Sequence, residues 1–150
     1  RDLYEGAMKE ALSLAERAAE SGDVPVGAIV LDPEGQIIGR GWNQREAAQD
    51  PTAHAEVLAL REAGGARGGW NLSGCTLVVT LEPCTMCAGA VVNSRIDRVV
   101  FGAWEPKTGA CGSIRDVVRD ARLNHQVEVV SGVSAEGVEA QLQDFFQKRR

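Results

Sequence analysis

The chain has 150 residues, 44% apolar and 25% charged, a balance that suits one globular core and excludes a low-complexity or disordered polymer. No apolar run reaches the roughly 18 residues of a transmembrane helix, and the first residues, which begin on Arg1 and not Met, lack the basic-then-apolar pattern of a secretion leader. With 16 basic against 21 acidic residues the net charge is -5, which gives no general attraction to phosphate, although basic residues collect late, at Arg95, Arg98, Lys107, Arg115, Arg119, Arg122 and Lys148-Arg149-Arg150.

Asp2 opens a first helix whose apolar positions Leu3, Ala7, Ala11, Leu14 and Ala18 recur at helical spacing, and Gly22 ends it. Val24 to Leu31 reads as a strand, Pro33-Glu34-Gly35 as a turn, and Gln36 to Trp42 as the hairpin partner. Asp50-Pro51-Thr52 is expected to open a second helix, with Pro51 in its first turn, that runs through Ala63 and stops at Gly64-Gly65. Thr76 to Leu81 is a β-rich run suited to a buried strand, followed by a third helix over Pro83 to Asn93 and a strand over Arg98 to Phe101. A short helix is expected over Ile114 to Arg119, then a last strand over Gln126 to Val130. Ser134 is placed to cap a final helix whose apolar face is Val138, Leu142, Phe145 and Phe146. Strands alternating with helices after residue 50 imply βαβ units and a parallel sheet, here preceded by a hairpin. Residues 1–150 therefore read as a single α/β domain, with no repeat and no linker.

Four cysteines, Cys75, Cys84, Cys87 and Cys111, without any sign of secretion, point to metal or redox use in the cytoplasm and not to a disulfide framework. Cys84 and Cys87 stand where a strand gives way to a helix, and their three-residue spacing lets both sulfurs face one ion. The helix N-terminus also favours the thiolate form that zinc prefers. His54 adds an imidazole, making three protein ligands with a fourth position left for water, as in a catalytic zinc site. Glu56 is the residue that turns such a site into a catalyst, because zinc lowers the pKa of its water to about 7 and a nearby carboxylate can take the proton. Spacing alone does not aim Glu56 at the metal, since two positions along an ideal helix differ by about 200°.

Other readings stand beside this one. A CxxC between strand and helix also fits a thioredoxin-like redox pair. A non-catalytic, zinc-stabilised RNA-binding module would need a fourth protein ligand, with Cys111 and His125 as candidates. Cys75 reads as packed core. What favours the catalytic reading is conjunction: His54, Glu56, Pro83, Cys84 and Cys87 together satisfy H-x-E…P-C-x-x-C, the signature of zinc deaminases.

Around that signature the chain carries Val24-Pro25-Val26-Gly27-Ala28, Gly41-Trp42-Asn43, Asp50-Pro51-Thr52-Ala53-His54-Ala55-Glu56, Val79-Thr80-Leu81-Glu82-Pro83-Cys84, Met86-Cys87-Ala88-Gly89-Ala90, Val99-Val100-Phe101-Gly102-Ala103, Lys107-Thr108-Gly109-Ala110 and Asn124-His125. Over almost its whole length it resembles the bacterial tRNA adenosine deaminases of the cytidine deaminase-like superfamily. The metal motif fits any superfamily member, whereas the Lys107 to Ser113 loop and the Asp144-Phe145-Phe146 ending are similar to the tRNA enzymes in particular.

The resemblance implies an α/β, three-layer cytidine deaminase-like fold with a mixed five-stranded sheet flanked by helices, and a homodimer. It implies one zinc per subunit on His54, Cys84 and Cys87, with Glu56 as proton shuttle. Asn43, Asn124, the Ala55 N–H and the Pro83 carbonyl would hold the nucleoside. Lys107, Phe145, Phe146, Lys148, Arg149 and Arg150 would meet RNA, although both phenylalanines also fit a core-facing stripe. The implied reaction is hydrolytic deamination of adenosine to inosine at the wobble position of an arginine tRNA, whose single-stranded anticodon loop presents an accessible base. A deaminase of the same fold acting on free guanine, cytidine or a deoxynucleotide is the alternative. Two residues depart from the pattern: Glu105 puts an acid beside the expected RNA groove, and Cys111 stands where a small non-thiol residue is usual.

Overall fold

A computed structural model describes residues 2–149. The elements in order are α1 (Asp2–Glu20), β1 (Gly27–Leu31), β2 (Ile37–Trp42), α2 (Ala55–Arg67), β3 (Thr76–Leu81), α3 (Thr85–Asn93), β4 (Arg98–Ala103), β5 (Glu128–Val130) and α4 (Ala135–Lys148). The five strands form one sheet in the order β2-β1-β3-β4-β5. β1 pairs antiparallel with both β2 and β3, while β3, β4 and β5 run parallel. The mixed sheet and the three layers agree with the expected fold, and the strand-to-strand crossover through α3 is the βαβ unit.

Each central strand is buried on both faces, which is why its sequence is a nearly unbroken apolar run. Alternation decides which residue meets which helix layer. Ala28, Val30, Leu77, Val79, Val99 and Phe101 pack towards α2 and α3. Ile29, Leu31, Val78 and Val100 pack with Ala7, Met8 and Ala11 of α1 and with Val138 of α4 on the other side. Two glycines let helices lie directly on the sheet. A Cβ on Gly27 would stand 1.9 Å from the Ala11 carbonyl oxygen of α1, and one on Gly41 would stand 2.3 Å from the Ala55 carbonyl oxygen of α2. The second contact fixes where α2 begins, and with it the position of His54.

Several boundaries differ from expectation. α2 does not open at Asp50-Pro51-Thr52. The Asp50 carboxylate instead accepts the Thr52 N–H and hydroxyl, both at 2.8 Å, closing a local turn that competes with helix. Gly64-Gly65 does not stop α2, which continues until Gly68 ends it in the left-handed region at φ 74°. β1 starts at Gly27 and not at Val24, because Pro25 has no N–H to offer a ladder. Residues 114–119 form no helix. Cys111 bridges Asp116, and the Glu82 carboxylate captures the Cys111 and Ser113 N–H groups. Ser134 occupies the N-cap position of α4 in a left-handed conformation (φ 56°), and its side chain makes no capping bond.

No helix among the described residues is long and apolar enough to cross a membrane. Cys75 is fully buried just ahead of β3, as a core residue, with the Arg67 guanidinium donating to its sulfur at 2.8 Å.

Candidate active site

The tips of two helices on the same side of the sheet meet at one point. His54 is the N-cap residue of α2 and Cys84 the N-cap residue of α3, both in extended conformation, and Cys87 lies one turn into α3. This removes the 200° difficulty: His54 is outside the helix, so its side chain is not bound to helical angular spacing and converges with that of Glu56 in the first turn.

The His54 Nδ1 stands 3.6 Å from the Cys84 Sγ and 3.5 Å from the Cys87 Sγ. All three ligand atoms lie within 4.8 Å of one another. Tetrahedral zinc with ordinary Zn–S and Zn–N bonds would hold sulfur and nitrogen about 3.5 Å apart, so the donor set and its spacing fit that ion. Cys111 and His125 do not join this group. Cys111 is buried in the core, and the His125 Nε2 lies 2.7 Å from the Ile96 carbonyl. Among the described residues the site therefore keeps an open coordination position, against the closed-site module.

The charges suit the metal. The Cys87 thiol donates to Cys84, and His54 adds a second bond, which holds the Cys84 thiol down at about 3, as thiolate. The bond to Cys84 in turn pushes His54 up, while donation to Cys84 and burial push Cys87 up. One cation thus replaces the protons this cluster shares. Glu56 is only 4% exposed, and burial pushes its carboxyl up to about 7, the range in which one group both accepts and releases a proton near neutral pH.

A cleft opens over this cluster, lined by Val24, Val26, Asn43, Arg45, His54, Ala55, Glu56, Leu81, Glu82, Cys84 and Thr108. Asn43 stands on its wall. Its amide nitrogen donates to the Val24 carbonyl (3.2 Å) and its oxygen accepts the Arg45 N–H (3.1 Å). The Ala55 N–H lies in the first turn of α2, outside the intrahelical ladder. Pro83 is buried beneath the cleft, with its carbonyl accepting the Ala110 N–H at 2.8 Å. Asn124 is exposed and outside the cleft lining. Lys107 is exposed next to Thr108. The departing acid Glu105 is occupied locally, its carboxylate accepting the Lys107 N–H at 2.9 Å.

The two phenylalanines of α4 divide. Phe145 is 8% exposed with the Arg149 guanidinium 4.2 Å above its ring, whereas Phe146 is 50% exposed. Lys148 pairs with Asp144 at 3.1 Å. Arg150 lies outside the described residues. The Arg149 guanidinium comes within 3.8 Å of a Cβ built on Gly22. The end of α4 therefore sits against the segment that leads into the Val24 and Val26 wall of the cleft.

Two buried carboxylates were missed in the sequence. Asp23, 1% exposed, accepts the Glu46 and Ala47 N–H groups at 2.6 and 3.1 Å, and so holds the loop that carries Arg45. Glu82, 2% exposed, accepts the N–H groups of Glu105, Cys111 and Ser113 and the Ser113 hydroxyl, and so holds the loop that carries Thr108. For Glu82 the available signal was an acid directly after an apolar strand, a charge that can be buried only if a loop supplies it with donors. Glu82→Gln turns one acceptor into a donor facing those N–H groups. It should cost about 3 kcal/mol in a denaturant-melt comparison; an unmoved midpoint would show that the loop holds itself.

Three possible metal ligands and a buried carboxyl beside them on this α/β frame are the arrangement of a zinc-dependent deaminase of the cytidine deaminase-like class. Residues 2–103 match the family model of the cytidine and deoxycytidylate deaminase zinc-binding region. The tRNA-specific adenosine deaminase of Haemophilus influenzae is 51% identical over 149 residues, 99% of this chain and 86% of the relative. A structure solved in a study of A-to-I editing by tRNA:A34 deaminases at the wobble position of transfer RNA superposes with TM-score 0.87 at 39% identity, covering 91% of this chain and 99% of that one. Guanine deaminase from Nitrosomonas europaea follows at TM-score 0.81 and 26% identity, over 94% and 83% of the two chains. The chain belongs to the tRNA-specific adenosine deaminase family of zinc-dependent hydrolytic enzymes.

Proposed function

We propose that the chain converts adenosine to inosine at the wobble position of a tRNA anticodon loop, with an arginine tRNA as substrate. The observation that carries this reading is the convergence of His54, Cys84 and Cys87 beside Glu56 at one cleft. Its support for adenosine over guanine is the higher identity shared with the tRNA enzymes.

His54, Cys84 and Cys87 hold the zinc. When bound, zinc supplies the Lewis acidity that makes water a nucleophile near neutral pH. Glu56 takes a proton from the attacking water and delivers it to N1 of adenine, so that C6 becomes electrophilic as the new C–O bond forms. Glu56 then takes the proton of the new C6 hydroxyl and gives it to the amino group, the C6–N bond breaks as the C6 carbonyl forms, and ammonia leaves. The Ala55 N–H meets the base edge and Asn43 the sugar. Val26 and Leu81 give the cleft an apolar wall, which favours exclusion of bulk water from the reacting edge. Phe146, Lys107, Lys148 and Arg149 are exposed and meet the RNA outside the cleft. This requires a base free of pairing, as in a loop.

The subunits pair as a homodimer through the α2–α3 face. There Trp70, 65% exposed, stands beside a largely apolar groove formed by Val57, Leu60, Leu72 and Ala90. The reaction belongs in the cytoplasm, where tRNA is.

The test is inosine formation in a synthetic arginine-tRNA anticodon stem-loop, with free adenosine, cytidine and guanine run in parallel. Inosine at the wobble position alone is the expected result. Ammonia from a free base or nucleoside, with the stem-loop untouched, would replace RNA by a metabolite and leave the roles of Glu56 and the metal ligands intact.

A further inference from the structure

The charges that line the cleft are arranged unequally. Glu56, Glu82 and Cys84 are among its lining residues, and none of these side chains can attract an anion by positive charge. Arg45 is the single Lys or Arg among the lining residues. Arg45 is therefore the lining side chain with a permanent charge that can pair with a negative charge carried by a substrate whose base reaches Glu56.

Arg45 is built for that task. Its side chain is 55% exposed, and its ion pair is with the neighbouring Glu46, itself 61% exposed, at 3.5 Å. Such an exposed, loose pair contributes little and releases its guanidinium readily. The backbone beneath is fixed. The Arg45 N–H is held by the Asn43 side chain, and the next two N–H groups are held by the buried Asp23 carboxylate. Asn43 is tied in turn to the Val24 carbonyl on the cleft wall. An exposed cationic head on a hydrogen-bonded backbone suits a guanidinium that reaches for a phosphate oxygen.

We propose that Arg45 binds a phosphate adjoining the target nucleoside, so that the cleft selects a nucleotide within a strand over a free base or nucleoside. This rests on the RNA-deaminase reading above and adds a residue to it. Arg45 acts in binding and not in the proton transfers, so its loss falls on KM and leaves kcat nearly intact.

The test compares wild type, Arg45→Ala and Arg45→Lys on two anticodon stem-loops. One has natural linkages; the other has uncharged methylphosphonates at both phosphates flanking the target adenosine. On the natural RNA, Arg45→Ala should lower kcat/KM about tenfold to a hundredfold, as for a lost charge-assisted bond, with Arg45→Lys in between. On the neutral RNA the three proteins should become nearly equal. The slope of log affinity against log salt should also fall by about 0.7 in Arg45→Ala. Thermal stability should not change, because the side chain is exposed. An equal loss on both RNAs, or no loss on either, overturns the phosphate contact while wild-type turnover upholds the RNA reading. A wild type that leaves the natural stem-loop untouched overturns both.

Discussion

Replacing Glu56 by Gln should lower kcat at least about a thousandfold, while the chain stays folded and keeps its metal ligands. Gln has the same shape and fits the same buried position, so packing around the site is preserved. What is lost is the proton. The amide cannot accept one from water or return one to N1, and positioned general acid–base catalysis contributes about 10²- to 10⁴-fold. Because one carboxyl serves successive transfers here, the effect falls at the upper end of that range. The position of the effect matters as much as its size. The ligands His54, Cys84 and Cys87 are untouched, so zinc content by atomic absorption should equal that of wild type, and KM for the stem-loop should move little. Turnover within tenfold of wild type, in protein with full zinc, would sink the shuttle role. Loss of zinc along with activity would make Glu56 a support of the metal site.

The largest expected loss of stability without any change in the site is at Gly27. An added methyl would stand 1.9 Å from the Ala11 carbonyl oxygen and 2.7 Å from the Ala15 N, both backbone atoms of α1. No rotamer can relieve that overlap. α1 must move off the sheet, which loosens the layer where Ala7, Met8, Ala11 and Leu14 pack on Ile29, Val78 and Val100. Overpacking of this kind costs about 3 kcal/mol or more, and in a domain of this size that lowers Tm by about 10 °C. The control is Gly65→Ala. Gly65 lies inside α2 with nothing within 4 Å of the added methyl, so the better helix former should stabilise by up to about 1 kcal/mol. Calorimetry of the two variants should therefore show opposite signs. Equal and small shifts would mean that α1 does not rest on β1 as closely as the structure places it.

The elements that sequence patterning located well are those where a local rule and the tertiary environment agree. Thr76 to Leu81 had to be a strand buried on both faces, because six β-prone residues in a row leave no polar side to turn to solvent. The hairpin of β1 and β2 followed from Pro33-Glu34-Gly35, with Gly35 at φ 83°. Failures came where side chains distant in sequence outbid local preference. Residues 114–119 have a helical apolar pattern, yet Glu82, 29 and 31 residues away from its partners, takes the Cys111 and Ser113 N–H groups. Asp50-Pro51-Thr52 reads as a helix start, but the Asx turn uses the same groups and delays α2 to Ala55. That delay places His54 at the cap and so allows it to face the metal.

The sequence by itself determined which chemistry was available. One imidazole, two thiols at helix-turn spacing and one acid are the residue types that metal binding and proton transfer need, since those properties belong to the side chains. Tertiary structure decided everything that depends on through-space distance. It brought His54 within 3.6 Å of sulfurs 30 and 33 residues away. It turned Phe145 into the core and left Phe146 exposed. It buried Asp23 and Glu82 beneath the two loops that wall the cleft, and it left Arg45 as that cleft's one permanent cation among the described residues. The physical reason is that a buried charge or a cap is stabilised by whichever donors the fold brings near, and separation along the chain does not encode that proximity.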